Sequence, residues 1–267
     1  MSMKTVSTIV IGDQPDAMEA AIACASTWSA HLDVVCLSGS QFEVPMIFSP
    51  DVALGYEAIL NTARSDLEEI EERVLERLRG ETVTSRVDAS VRSDGNLRAS
   101  LTEACRYSDL VVLPSPDDSA VMKSVLEQIL YSSRVPLLVV PDDAAISFDT
   151  ILLAWDESEV ALAAIRAALP LLRDAGTVEI VMVESKGATE GRDVAVMLER
   201  QGVKAPLNVL PLSGRSVSDV LQGRAQEIGA DLIVMGAYGH RRLREVLLGG
   251  VTRSMMERPD RPLLLAR

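Results

Sequence analysis

The stretch Asp231–Ser254 has the sequence DLIVMGAYGHRRLREVLLGGVTRS. Its apolar run ends at Gly236, Gly239 follows three residues later, and Gly249 and Gly250 precede a helical pattern. Glycines let backbone N–H groups approach a ligand closely, and a helix N-terminus adds roughly half a positive charge. Basic side chains lie between the glycines. The pattern therefore predicts a strand, an anion-binding loop and a helix.

The same order of apolar runs occurs twice along the chain. The matched runs are TIVIGD and ILLAWD, then SDLVVLP and ADLIVMG, then RVPLLVV (134–140) and DRPLLLA (260–266). Three runs in the same order indicate an internal duplication. A polar, proline-containing stretch at 141–149 predicts the linker between the copies. We therefore predict two domains, at residues 1–143 and 148–267.

Short β-branched runs alternate with longer helical patterns in each half. In the second half, strands are predicted at 151–155, 178–183, 207–211, 231–235 and 262–266, and helices at 158–173, 188–201, 216–228 and from 251. The helix at 216–228 begins with a capping signal formed by Ser216 and Asp219. Apolar strands that alternate with helices predict a parallel sheet covered on both faces. Ligands of such sheets lie at the carboxyl ends of the strands, where the strand order reverses.

The first half carries an additional segment at 40–56, to which we assign no role. A long helix is predicted after it, at about 56–79, and its many charges are interpreted as a solvated face.

Composition excludes several classes of protein. The net charge of −13 argues against a nucleic-acid-binding or membrane-surface protein, because these need a broad basic face. The three cysteines form no metal or redox motif, which predicts buried, reduced thiols. The N-terminus lacks the pattern of a secretory signal, and no apolar run is long enough to span a membrane. We therefore expect a cytoplasmic protein.

These residues resemble the universal stress protein family, over nearly the whole chain and as two tandem domains. The specific element is the family's phosphate loop, G-x2-G-x9-G followed by Ser or Thr, which matches Gly236, Gly239 and Gly249. The resemblance implies an α/β fold of two doubly wound, Rossmann-like domains, each a five-stranded parallel sheet with helices on both faces. It also implies ATP as the ligand, with Mg²⁺ or Mn²⁺ held by the phosphates rather than by a metal site of the protein.

The resemblance assigns a site in the second half. Asp156 would contact the ribose or adenine, and the backbone of Val183 would face the adenine. The loop residues would bind the phosphates; they are Gly236, Gly239, His240, Arg241, Gly249, Gly250, Val251 and Thr252. Gly250 departs from the family pattern, which has a hydroxyl there, so binding should be weakened rather than abolished. Thr252 is close enough in sequence to replace that hydroxyl. Asp156 also competes with Ser158 as the cap of the helix that follows.

The first half departs further from the family pattern. Pro114 and Asp117 stand at the positions of the first two loop glycines, and neither suits a phosphate. Asp13 is kept, but a ribose contact without a phosphate loop is weak. We therefore interpret the first half as a structural partner that binds no ATP.

Three classes of function fit these observations. The first is a regulatory protein of the stress response that binds ATP or a related adenine nucleotide in the second half. The second is a slow ATPase, although the loop has neither a Walker lysine nor a carboxylate placed for the γ-phosphate. The third is an interaction scaffold with a non-nucleotide ligand or none. The closing strands at 136–140 and 262–266 are expected to pair in an intramolecular pseudo-twofold dimer, and a homodimer of tandem chains is compatible with this.

Overall fold

The computed structural model describes residues 3–13, 16–39, 52–90, 97–117, 119–142, 144–183, 192–237, 250–257 and 259–267. Within these ranges strands and helices alternate, as the sequence predicted. The early strands are β1 (Thr5–Ile11), β2 (His31–Leu37), β3 (Ser85–Asp88), β4 (Leu110–Pro114) and β5 (Leu137–Val140). The helices among them are α1 (Met18–Trp28), α2 (Val52–Leu78), α3 (Leu97–Cys105) and α4 (Ala120–Gln128), which continues into a π-helical turn at Ile129–Ser133.

The second half repeats this alternation. Its strands are β6 (Thr150–Trp155), β7 (Thr177–Val183), β8 (Leu207–Leu210), β9 (Leu232–Gly236) and β10 (Leu263–Ala266). Its helices are α5 (Glu159–Asp174), α6 (Arg192–Arg200), α7 (Val217–Glu227) and α8 (Gly250–Glu257). The predicted capping signal of α7 is confirmed, because the side chains and amides of Ser216 and Asp219 form a reciprocal capping box.

The chain forms two compact units. Residues 3–114 and 118–135 form the first unit, and residues 115–117 and 136–267 form the second. The first closing strand, β5, therefore belongs to the second unit, because it pairs antiparallel with β10 through Leu137↔Leu265 and Val139↔Leu263. The predicted pairing of the closing strands is confirmed. The domain limits inferred from the duplication, and the twofold relation of the halves, remain predictions.

Apart from the antiparallel pair of β5 and β10, the strands described within each unit pair in parallel. In the first unit the order is β3-β2-β1-β4. In the second unit the order is β5-β10-β9-β6-β7-β8, of which the last five are parallel. Every residue of β4 and β10 is buried. Since neighbouring side chains in a strand point to opposite faces, both faces of the sheet are covered, as predicted.

Both copies of the duplicated pattern contain an aspartate that accepts hydrogen bonds from the backbone of a neighbouring strand. Oδ2 of Asp109 accepts hydrogen bonds from the amides of Lys4 (2.7 Å) and Thr5 (3.0 Å) at the start of β1. Oδ2 of Asp231 accepts from the amides of Asp149 (3.1 Å) and Thr150 (2.8 Å) at the start of β6. Asp109 and Asp231 therefore each pair with the first backbone amides of the neighbouring strand. This role explains why both copies of the run carry an aspartate at this position.

The long helix α2 covers residues 52–78 rather than 56–79, and it buries Ala63, Leu67, Ile70 and Val74. No helix in the described ranges has both the length and the apolar composition that a bilayer crossing requires.

The cysteines are buried and form no disulfide, as predicted. Burial raises the pKa of the Cys24 thiol to about 12. Burial, together with Glu71 and Asp88, raises the pKa of Cys36 to about 12. Thiolates are the reactive form, so these side chains should be inert in the folded protein.

We expect the folded protein to show no thiol reaction with 5,5′-dithiobis(2-nitrobenzoate) at neutral pH. In guanidinium chloride all three cysteines should react, because unfolding exposes them. The absorbance of the released thionitrobenzoate measures both cases. A folded chain that releases one equivalent within minutes would contradict the burial of these thiols.

Candidate functional site

The strand order of the second unit reverses at β6. The chain passes from β6 to β7 and β8 on one side, then returns to β9 and β10 on the other. β6 and β9 are adjacent and pair from Ile151↔Leu232 to Leu153↔Val234; beyond this pairing β6 ends at Trp155 and β9 at Gly236. The ends of these two strands form the position where doubly wound sheets bind ligands.

Asp156 follows β6 and is exposed. Its Oδ1 accepts a hydrogen bond from the amide of Ser158 (3.1 Å), in a local turn that places Glu157 at φ 63°. The cap of α5 is Ser158, whose Oγ accepts from the amide of Ala161 (3.1 Å). The structure thus resolves the two capping alternatives in favour of Ser158, and Asp156 remains at the surface of the strand end.

Gly236 is required by packing. A Cβ placed on it would lie 2.5 Å from the amide nitrogen of Ala161 and 2.6 Å from the carbonyl carbon of Val160. Both are backbone atoms in the first turn of α5, which cannot move without shifting the helix. The glycine therefore lets the N-terminus of α5 approach the end of β9, a role that the sequence interpretation, centred on phosphate contact, did not include.

The end of the predicted phosphate loop that the structure describes beyond β9 is the start of α8. Gly250 is the first residue of α8, is exposed, and has no atom within 4 Å of a Cβ built on it. Val251 is half-buried, and Thr252 is 5% exposed. The burial of Thr252 gives no support to its replacing the missing hydroxyl. The amides at the start of α8 carry the positive end of the helix dipole.

The other predicted site residues divide into two groups. Val183 is the half-buried last residue of β7 and pairs with Leu210. Four predicted site residues lie outside the described ranges: Gly239, His240, Arg241 and Gly249.

Trp155 ends β6 with an unpaired donor. Its residue is half-buried, but its Nε1 atom is buried and has no hydrogen-bond partner in the described chain. A tryptophan side chain at a strand end can stack on a ligand or fill the core. Buried donors are nearly always paired, so this one requires an explanation.

A chain of hydroxyls connects α7 to α8. Oγ of Ser218 lies 2.9 Å from Oγ of Ser216 and 3.0 Å from Oγ of Ser254. Ser216 already accepts a hydrogen bond from the amide of Asp219, so its hydroxyl can donate towards Ser218. These contacts hold the first turn of α7 against the second turn of α8. Of these three serines, only the cap at Ser216 is evident from the sequence.

An ion pair that the sequence analysis missed joins β7 to α7. Nε and Nη2 of Arg224 donate to the two carboxylate oxygens of Glu179 (2.8 and 2.9 Å), whose side chain is 9% exposed. The hydrogen bonds from Arg224, assisted by one from Asn208, hold the pKa of Glu179 below its usual value against the opposing effect of burial. A lone glutamate in an otherwise apolar strand was the available sequence signal.

In the first unit, a side chain of the protein itself contacts the corresponding strand end. Nη2 of Arg73, on α2, donates to the carbonyl oxygen of Gly12 (2.7 Å), and Nη1 lies 3.4 Å from Oδ1 of Asp13. Arg77, one turn further along α2, forms a bidentate pair with Glu19. The interpretation of the charges of α2 as a purely solvated face is therefore incomplete.

The residues that replace the loop glycines in the first half have positions set by the backbone. Pro114 ends β4 in a buried position, and Asp117 has φ 39°.

Known proteins with related sequences support the resemblance. Residues 209–267 match the family model described as the universal stress protein family. A 43-residue segment is 37% identical to universal stress protein MJ0577 of Methanocaldococcus jannaschii. That segment covers 16% of this chain and 26% of the relative, so the chain spans about a quarter of the curated relative it matches.

Solved structures extend the likeness to the complete fold. A universal stress protein from Archaeoglobus fulgidus has a TM-score of 0.69 at 17% identity, with 98% of each chain covered. A putative universal stress protein from Pseudomonas aeruginosa has a TM-score of 0.56 at 15% identity, and 99% of this chain and 93% of that one are covered. At these identities the likeness establishes the tandem fold and not a ligand.

Proposed function

We propose that this chain, whose tandem fold and C-terminal sequence are those of the universal stress protein family, is a regulatory protein of the stress response. It binds ATP or a related adenine nucleotide in its second half. The observation that carries the proposal is the junction of the adjacent strands β6 and β9, where Trp155 ends one strand and is followed by Asp156, and Gly236 ends the other. The exposed first residue of α8, Gly250, ends the loop that follows β9.

The residues at this junction suit the parts of a nucleotide. Asp156 is exposed and can accept hydrogen bonds from ribose hydroxyls. The backbone at Val183 can face the base. The amides of Gly250 and Val251 suit phosphate oxygens, because a helix N-terminus attracts anions. We assign Gly239, His240, Arg241 and Gly249 to the phosphates by their positions in the loop. Thr252 is the weakest assignment, since it is buried.

A divalent cation would be bound through the phosphates. In the described residues, no group of three or more His, Cys, Asp or Glu side chains is suited to hold a metal ion. Mg²⁺ normally binds in this way, with few protein ligands. When bound, the cation would neutralise phosphate charge.

The first half is proposed to bind no nucleotide. Arg73 donates to the strand-end carbonyl of Gly12 and approaches Asp13, the counterpart of Asp156 in the second half. This internal contact supports one site per chain.

Isothermal titration with ATP tests the proposal directly. We expect one site per chain and no phosphate release above background, with or without Mg²⁺. Absence of heat with ATP, ADP and AMP would leave the scaffold alternative, and steady phosphate release would establish the ATPase alternative. Two equal sites per chain would contradict the assignment to the second half.

A serine at position 250 should strengthen ATP binding. Gly250→Ser adds a hydroxyl where the structure has open space, and the new hydrogen bond to a charged oxygen should raise ATP affinity about tenfold. The matched control is Gly250→Ala, which changes the backbone in the same way without the hydroxyl. Titration of both variants with ATP and adenosine measures the effect. An equal gain with adenosine, or the same affinity in the serine and alanine variants, would show that the hydroxyl does not reach a phosphate.

A further inference from the structure

The buried indole N–H of Trp155 is an unusual feature of the second unit. Among the described residues, only Thr8 and Trp155 have a buried side-chain polar atom without a hydrogen-bond partner. Thr8 lies in the middle of β1, whereas Trp155 is the last residue of β6. Only the tryptophan therefore combines an unsatisfied donor with a strand-end position at the junction proposed to bind ligand.

The neighbours of Trp155 place this residue next to the part of the junction proposed for the nucleoside. Trp155 pairs in register with Met182, the residue before Val183 on β7. It directly precedes Asp156, which is exposed after the end of β6. The backbone of Val183 is proposed to face the base, and Asp156 is proposed to contact the ribose. The unpartnered donor therefore belongs to a residue adjacent to both groups.

We propose that the indole N–H of Trp155 donates a hydrogen bond to the bound ligand, at an acceptor atom of its base or ribose. This inference rests on the proposed function and deepens it, because it names a specificity residue that the family pattern does not supply. An indole N–H can only donate, so it selects a ligand with an acceptor at that point. Adenine ring nitrogens and ribose oxygens are such acceptors, and a purely apolar ligand has none.

The proposal has a signature that a structural hydrogen bond would not produce. In the free protein the donor has no partner, so deleting it removes an unfavourable buried group and should not lower stability. In the complex the same deletion removes a hydrogen bond and should weaken binding. Deleting a hydrogen bond that stabilises the fold would instead lower both the stability of the free protein and its affinity for the ligand.

The sharpest test replaces Trp155 with β-(3-benzothienyl)alanine, which has the shape of tryptophan with sulfur in place of N–H. We expect the melting temperature of the free protein to rise by about 2–4 °C, or to stay unchanged. The dissociation constants for ATP and for adenosine should each rise about tenfold. The affinity for inorganic triphosphate should not change. The same replacement at Trp28, in the first unit, is the matched control and should leave adenosine binding unchanged.

The possible results separate the two proposals. A lower melting temperature of the free variant would mean that the N–H has a partner, such as a buried water, and would overturn the inference. Unchanged ATP and adenosine affinity would overturn it as well, while leaving the nucleotide site intact. Absence of ATP binding by the unmodified protein would refute the proposed function and this inference with it. Should the benzothienyl protein not fold, the affinities of Trp155→Phe for adenosine and for inorganic triphosphate replace it as the test, because the smaller ring lowers stability on its own; an unchanged adenosine affinity would overturn the inference.

Discussion

Gly236→Ala should destabilise the second unit by about 3 kcal/mol, although it adds a single methyl group. The new carbon would lie 2.5–2.6 Å from backbone atoms of Val160 and Ala161. Real contacts of this kind are never so short, and a helix backbone has no rotamer with which to escape. The first turn of α5 must therefore shift away from β9 and lose packing against it.

Urea unfolding followed by tryptophan fluorescence measures this effect. In a Trp28→Phe background, Trp155 is the sole tryptophan and reports on the second unit. Gly250→Ala is the matched control, because nothing lies within 4 Å of its added carbon, and it should cost no stability. An equal midpoint for the two alanine variants would contradict the close approach of α5 to β9.

The close packing at Gly236 limits the use of Gly236 variants as a test of phosphate binding. From the sequence, valine at Gly236 and Gly239 together would be expected to abolish nucleotide binding and leave the fold largely intact. For Gly236 the structure contradicts the second part, because the strand end there is closely packed rather than open. Lost binding in that double variant would report on folding as much as on phosphate contact.

Arg224→Leu should destabilise the second unit by about 2 kcal/mol at neutral pH. The substitution leaves the carboxylate of Glu179 in a site where its side chain is 9% exposed, with Asn208 as a remaining hydrogen-bond donor. Arg224 itself is 27% exposed, so water screens part of the pair and reduces the effect. The control is Arg79→Leu, which breaks an exposed pair with Glu76 and should cost less than about 1 kcal/mol.

The pH dependence identifies the mechanism. Because the pKa of Glu179 is lowered in the folded protein, the pair stabilises fully above the unfolded-state pKa of about 4.3 and is lost as the pH falls through the folded-state value. The stability difference between the native protein and Arg224→Leu should therefore be largest near neutral pH and shrink at acid pH. Urea midpoints measured across this range test it. A difference that does not change with pH would mean that the arginine acts through apolar packing alone.

The duplication shows which parts of the fold are encoded locally. Its matched runs predicted β1 with β6, β4 with β9 and β5 with β10, because buried parallel strands require continuous apolar residues. The capping box of Ser216 and Asp219 was also predictable, since both of its partners lie within one helical turn. The apolar face of α2 follows from helical spacing in the same way.

The sequence predicted those features of the candidate site that depend only on the order of strands and helices along the chain. Asp156, Val183, Gly236 and Gly250 fall at strand and helix ends, and the sequence indicated those ends. It did not reveal that Gly236 faces the backbone of α5, or that Glu179 meets Arg224. Each of these contacts joins residues far apart in sequence, and their distances depend on how helices pack against the sheet.

The sequence by itself therefore determined the alternating α/β order, the duplication, the buried strands and the position of the glycine loop after β9. These properties depend on periodicity and on neighbours within a few residues. Only the tertiary structure decided that Gly236 accommodates a helix, that Arg73 contacts the strand end of the first unit, and that the indole N–H of Trp155 is buried without a partner. The physical reason is that close approach, burial and hydrogen-bond satisfaction are set by the packing of distant segments, which local patterns do not specify.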